Sequence, residues 1–185
     1  MERKVNQRIM LTKQLLQNAL LKLLKTVPLH AISIRELCKE AGINRTTFYN
    51  HYGSQYDLLG DISQCYLNSI AERLENADFS NRESVHQRVA MVLAYIAENR
   101  DLSMLLMNNH IDPGFAERIF SLPKIGDLLE AALVNCQDES MRAATISFVI
   151  HGSYKLLQDW INQEKRLPPK EQTEMMLDLA QRVCV

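Results

Sequence analysis

Between Thr12 and Val27 the apolar side chains Leu16, Ala19, Leu20, Leu23, Leu24 and Val27 recur every three or four positions with lysines between them, the stripe of an amphipathic helix. Pro28 ends that stripe, since it has no N–H to donate and its ring crowds the preceding turn. Ser33 and Glu36 then make an S-x-x-E capping box for a short second helix with Ile34, Leu37, Cys38 and Ala41 on one face. Gly42 supplies the left-handed residue that stops it. Asn44 caps a third helix over residues 45–52, closed by Gly53. A longer helix from Tyr56 to about Leu74 carries Leu58, Leu59, Ile62, Tyr66, Ile70 and Leu74, and residues 76–81 read as a link. Helical segments follow at about 84–99, 101–109, 113–121, 125–136, 139–163 and 170–184, broken by Pro113, Pro123 and the Pro168-Pro169 pair. Neither strand alternation nor an internal repeat interrupts the series, so the expected fold class is all-α.

Two short helices joined by a Gly-containing turn read as a helix-turn-helix. The small side chain of Cys38 lets them cross steeply, and Ile43 and Phe48 fill the angle. Any helical corner meets that description. What sets this one apart is the outer face of the third helix, where Arg45, Thr46, Tyr49 and Asn50 are too polar for a core helix.

Charge sharpens this. The net charge of −1 hides a split: residues 1–53 carry nine Lys/Arg against three Asp/Glu, and the remainder twelve against nineteen. A basic head on an acidic body is the asymmetry expected of a small module that meets a polyanion. Composition otherwise describes a helical globular chain, with 46% hydrophobic and 23% charged residues and only 6 Gly and 5 Pro. The longest apolar stretch, Ala143 to Tyr154, is too short to span a membrane and holds Thr145, Ser147, His151 and Ser153. Thr12, Lys13, Gln14, Gln17 and Lys22 break up any signal-peptide core near the start, so a cytoplasmic location is expected. Cys38, Cys65, Cys136 and Cys184 have no paired spacing, which argues for reduced thiols and against structural zinc.

The run from Ile34 to Gly53, with Ala41-Gly42-Ile43-Asn44, then Phe48-Tyr49-x-His51-Tyr52, then the pair Leu58-Leu59, resembles the TetR family of transcriptional regulators. That resemblance covers about the first third of the chain. Trp160-Ile161 followed by Leu167-Pro168-Pro169-Lys170-Glu171 is similar to the end of a Firmicutes-type branch that includes regulators of dihydroxyacetone utilisation. The resemblance implies a homodimer with a DNA-binding domain over 1–53 and a helical regulatory and dimerisation domain over 54–185. It implies that Arg45, Thr46 and Thr47 face base edges of a double-stranded, near-palindromic operator, and that Tyr49 and His51 touch phosphates. The chemistry agrees, because Arg spans guanine O6 and N7, a Thr methyl meets a thymine methyl, and Tyr and His donate to phosphate oxygens. Ser33 and Asn44 begin helices and would offer backbone N–H groups to phosphate. Gln55 stands where the family often has a Lys, so it brings a neutral donor in place of a charge; Lys4, Arg8, Lys13 and Arg35 are the substitutes at hand.

In the body, Tyr95, Met104, Leu105, Met107, Phe115, Phe120, Phe148 and Trp160 are candidates to line a small-molecule effector pocket, although most such side chains at helical spacing are simply core. Ile146, Val149, Ser153, Leu156 and Trp160 share one stripe, wider with its neighbours than one helix needs, and Met175, Met176, Leu179 and Val183 repeat the pattern in the last helix. Two such helices from each protomer would make an isologous four-helix bundle, with Ile146, Val149, Ser153, Leu156, Met176 and Leu179 in the dimer interface. His110-x-Asp112 is a pair on a loop, read as solvated, and no cofactor or metal is expected. The favoured function is a homodimeric, effector-controlled repressor. An effector-free co-regulator that binds a partner protein is the alternative, and there the pocket would be filled by its own side chains. An enzyme using His51, His86, His110 or His151 is remote, since the sequence has no H-E-x-x-H, phosphate loop or G-x-S-x-G motif.

Overall fold

The structure is a computed structural model that describes residues 2–107, 111–132 and 139–183. Its elements are α1 (Glu2–Leu24), a 3-10 turn at Leu29–Ala31, α2 (Ile34–Ala41), α3 (Arg45–Tyr49), α4 (Gln55–Leu74), α5 (Arg82–Glu98), α6 (Arg100–Leu106), α7 (Phe115–Phe120), α8 (Pro123–Ala132), α9 (Glu139–Asn162) and α10 (Pro169–Val183). No strand occurs among the described residues. The all-α expectation holds, with shifts at several ends. α1 starts at Glu2, ten residues before the apolar stripe, because neither Gly nor Pro interrupts residues 2–11. It ends at Leu24, where the N–H groups of Thr26 and Val27 both turn back to the Leu23 carbonyl. α3 stops at Tyr49, and the N–H groups of His51 and Tyr52 share the Phe48 carbonyl at 2.9 Å. Pro123 and Pro169 open helices, as fits a residue whose missing N–H has no intrahelical partner in a first turn.

The chain divides into two compact units, Met1–Tyr66 and Leu67–Val185. The division falls inside α4, C-terminal to the expected boundary at 53/54, because Leu58, Leu59, Ile62 and Tyr66 are buried parts of the first unit's core. That core also holds Leu16, Leu20, Leu37, Cys38, Phe48 and Tyr52, with α2 packed on α1 and on α3. Fully burying a Leu or Phe stabilises by about 1.5–3 kcal/mol, so a handful of such side chains suffices to hold the short helices together.

In the second unit α10 lies along α5 and also touches α9, while α6 packs on both α5 and α9. Ile70, Leu93, Ile96, Leu106, Met107, Phe115, Leu157, Trp160 and Ile161 form its interior. Polar groups close its corners. The buried Ser103 hydroxyl lies 2.9 Å from both the Ile96 and Asn99 carbonyls and joins the end of α5 to α6. The Trp160 indole N–H donates to the Leu167 carbonyl at 2.8 Å and ties down the loop before α10. No helix among the described residues is long and apolar enough to cross a membrane.

Candidate nucleic-acid interface

The expected capping box is present. Ser33 Oγ accepts from the Glu36 N–H at 3.2 Å, and the Ser33 N–H donates to Glu36 Oε2 at 3.1 Å. The Ser33 hydroxyl also donates to that carboxylate at 2.6 Å, and these hydrogen bonds hold the Glu36 carboxyl below its usual range. Both donors of Ser33 are therefore engaged by Glu36 within the protein. α2 ends at Gly42 with φ 68 and ψ 28, and the Ile43 N–H reaches back to the Cys38 carbonyl at 3.0 Å. This is the glycine-turned helix end that aims the chain at a second helix. Asn44 follows in extended conformation and accepts the Thr47 N–H on Oδ1 at 2.7 Å, starting α3.

α3 has one inward side chain. Phe48 is completely buried, and its neighbour Tyr49, 57% exposed, meets it edge-on at 5.5 Å. Arg45, Thr46, Tyr49 and Asn50 stand exposed, Thr47 and His51 are half-buried, and Gln55 sits half-buried at the first position of α4. The predicted base-reading residues thus lie at the N-terminal end of a helix held from behind by a single aromatic plug. Burial pushes the Cys38 thiol up, only partly offset by the nearby Arg45 charge, as fits a side chain packed in the core.

Three segments of this unit also meet at one carboxylate. Asp61 Oδ2 accepts from the Tyr52 hydroxyl at 2.6 Å and from Lys13 Nζ at 3.1 Å. Burial works to raise the Asp61 carboxyl, but these donors and the Lys13 charge outweigh it and hold it below the ordinary range. Burial and the Asp61 acceptor push the Tyr52 hydroxyl well above its ordinary value. Lys13 is therefore engaged within the protein. Arg8 and Arg35 remain exposed. A lysine forty-eight residues from its acid leaves no trace in a local pattern; the one available signal is a carboxylate set among Leu58, Leu59 and Ile62.

The body redistributes the other candidates. Met107, Phe115 and Trp160 are buried, Met104, Leu105, Phe120 and Tyr95 half-buried, and the Arg73 guanidinium carbon lies 3.9 Å from the Tyr95 ring centroid. The Met107 carbonyl accepts from Gln158 Nε2 at 2.7 Å. Phe148, expected in the pocket, is 65% exposed; the inward face of α9 is formed by Thr145, Tyr154, Leu157, Trp160 and Ile161, and Phe148 falls outside it. An open groove of about 370 Å³ is lined by Asn68, Ala71, Glu72 and Glu75 of α4 and by Leu122, Pro123 and Lys124, none of them a predicted pocket residue. Of the predicted dimer residues, Ile146, Val149, Ser153 and Leu156 are half-buried and Leu179 is exposed. Met176 is buried within its own unit. His110, Cys136 and Cys184 lie outside the described residues, and among those described no cluster of His, Cys, Asp and Glu is suited to a metal.

A glycine-turned pair of short helices presenting a polar N-terminal face defines the helix-turn-helix class of DNA-binding modules. Two family models match the chain: "Bacterial regulatory proteins, tetR family" over residues 16–62 and "Transcriptional regulator C-terminal region" over residues 83–182. The chain belongs to the TetR family of bacterial transcriptional regulators. It is 23% identical over 174 residues to the uncharacterized HTH-type transcriptional regulator YxbF of Bacillus subtilis (strain 168), covering 88% of this chain and 43% of that relative's length. A TetR transcriptional regulator from Streptococcus agalactiae 2603V has the same fold, with a TM-score of 0.71 at 19% identity over 97% of this chain and 99% of its own. The dihydroxyacetone kinase operon activator DhaS is similar as well, with a TM-score of 0.60 at 19% identity over 92% and 94% of the two chains.

Proposed function

We propose that this protein is a cytoplasmic, homodimeric repressor that reads a near-palindromic operator through Arg45, Thr46 and Thr47 and is released by a small-molecule effector. One observation carries the DNA-binding part: the exposed polar face of α3, set on a basic head by the Gly42 turn and the Asn44 cap. Tyr49, His51 and Gln55 flank that face and supply donors suited to phosphate. Dimerisation is supported by apolar side chains left outside the body's own core, Met141 and Phe148 seven residues apart on α9 and Met175, Leu179 and Val183 at intervals of four on α10. Two heads related by a two-fold axis would read half-sites about 34 Å or more apart.

A second reading has a specific observation in its favour. Met107, Phe115 and Trp160 are each buried in the body, with the Trp160 N–H and the Met107 carbonyl both bonded within the unit. A body filled by its own side chains suits a co-regulator that answers to a partner protein. DhaS is named as an activator, so the direction of control is itself something to measure.

Selection of bound sequences from random duplexes tests the central claim. Enrichment of a near-palindrome, with affinity falling steeply as salt rises, is expected. No enrichment together with a flat salt response would overturn it. A reporter driven by the selected site then separates repression from activation.

A further inference from the structure

Lys13 of α1, Tyr52 just beyond α3 and Asp61 of α4 converge on one oxygen. Asp61 Oδ2 takes the Tyr52 hydroxyl at 2.6 Å and the Lys13 ammonium at 3.1 Å, and Lys13 Nζ also lies 5.5 Å from the Tyr52 ring centroid. Tyr52 is buried, and its N–H is bonded to the Phe48 carbonyl, so its ring moves with the last turn of the recognition helix. Phe48 anchors that helix by apolar contact, which sets its depth and is non-directional. A helix held only in that way turns about its own axis at little cost, and base reading needs side chains held to within about half an ångström. Hydrogen bonds to a carboxylate are short and directional, and they supply the missing constraint.

Resting on the DNA-binding reading, we infer that Asp61 is a positioning residue which fixes the rotation of the recognition helix through Tyr52, with Lys13 withdrawn from the phosphate backbone to neutralise it. Three observations support this over an incidental surface ion pair. Both donors use the same oxygen; one of them is a hydroxyl on a buried ring; and the three residues come from three separate segments that bracket α3 in sequence. Removing the carboxylate leaves Phe48 in place and the helix free to turn. The head therefore stays folded while discrimination between sequences falls.

The test uses the full chain with Asp61→Asn, Tyr52→Phe and Lys13→Met. Without DNA, amide hydrogen exchange at His51 and Tyr52 is expected to quicken about tenfold in Asp61→Asn and Tyr52→Phe, while the Leu37 amide, bonded to Ser33 in the preceding helix, keeps its rate. With DNA, Asp61→Asn should lose about tenfold on the selected operator and nothing on random duplex. Lys13→Met should leave the slope of log affinity against log salt unchanged. Equal acceleration of all the head's amides would reduce Asp61 to a stabilising residue and overturn the inference, as would unaltered exchange at His51 and Tyr52. A slope lowered by about one in Lys13→Met would return that lysine to the phosphates and also overturn it. Tyr52→Phe keeps the ring and its packing, so one variant remains informative should Asp61→Asn fail to fold. A wild-type chain with no preference among duplexes would sink the proposed function alone, since the exchange measurement still decides whether Asp61 holds the helix end.

Discussion

Arg100 donates from Nε to the Ile161 carbonyl at 3.0 Å and so seals the C-terminal end of α9 with a residue from the first turn of α6. Its Nη2 lies 3.4 Å from the Asn162 carbonyl beside it. A cation on the last carbonyls of a helix satisfies acceptors that have no intrahelical partner and complements the helix dipole. Arg100→Met, which keeps much of the stem and removes the charge, is expected to lower the body's stability by about 1–2 kcal/mol, measured by urea unfolding. A midpoint equal to wild type would show that water replaces the guanidinium without loss.

Gly42 is where backbone geometry alone makes a forecast. A Cβ there would meet nothing within 4 Å, so crowding is no obstacle, but φ is +68. Gly42→Ala should cost about 1–2 kcal/mol through the left-handed conformation alone, seen as a lower melting temperature with an unchanged spectrum. Gly42→Asn, better tolerated in that region, should recover part of the loss.

Acid should loosen the head through Asp61. Its carboxyl titrates below the ordinary aspartate value of 3.8 when folded, so the folded state binds that proton less readily than the unfolded one. The stabilisation is complete once pH exceeds the unfolded value, and it disappears as pH falls from there through the lower folded value. Unfolding curves between about pH 5 and pH 2 should steepen against pH in wild type and flatten in Asp61→Asn. Parallel curves would show that the Tyr52 and Lys13 contacts contribute nothing.

Arg45→Ala should cost about 1–3 kcal/mol on the preferred operator and relax preference at one position of each half-site. Tyr49→Phe should weaken every duplex alike, because a phosphate contact carries no sequence information. Equal losses for Arg45→Ala on operator and random duplex would remove it from the base-reading set.

Phe148→Glu probes assembly. A charge at a solvated position changes little, whereas the same charge in an interface is costly to desolvate. Light scattering should find the wild type dimeric at micromolar concentration and the variant monomeric, with the body still folded. A wild-type monomer would remove the two-fold architecture.

What the sequence discloses follows from the range of each interaction. The Ser33–Glu36 box, the Gly42 stop and the Asn44 cap act over three or four residues, and all three were legible. The joining of Lys13 to Asp61 depends on tertiary placement, and nothing in the spacing announces it. α9 illustrates a different difficulty. Ile146, Phe148, Val149 and Ile150 spread apolar character around much of the helix, so periodicity alone does not say which face turns inward, and Phe148 stands exposed. The recognition-helix face was readable because polarity there is lopsided, with Phe48 alone against Arg45, Thr46, Tyr49 and Asn50.

The boundary between the two units lies within α4, between Tyr66 and Leu67, and this has a consequence for anyone building hybrids from such proteins. A seam inside a helix has a phase. Each residue inserted or deleted there turns the following positions of α4 by about 100° about its axis and advances them by about 1.5 Å. A splice through α4 therefore keeps Leu58, Leu59, Ile62 and Tyr66 in the first unit's core, and Leu67, Ile70 and Leu74 in the buried positions beyond, when it is made at matching residues of the helix. A fragment cut at Gly53 would lose Leu58, Leu59 and Ile62 and with them one wall of its own core.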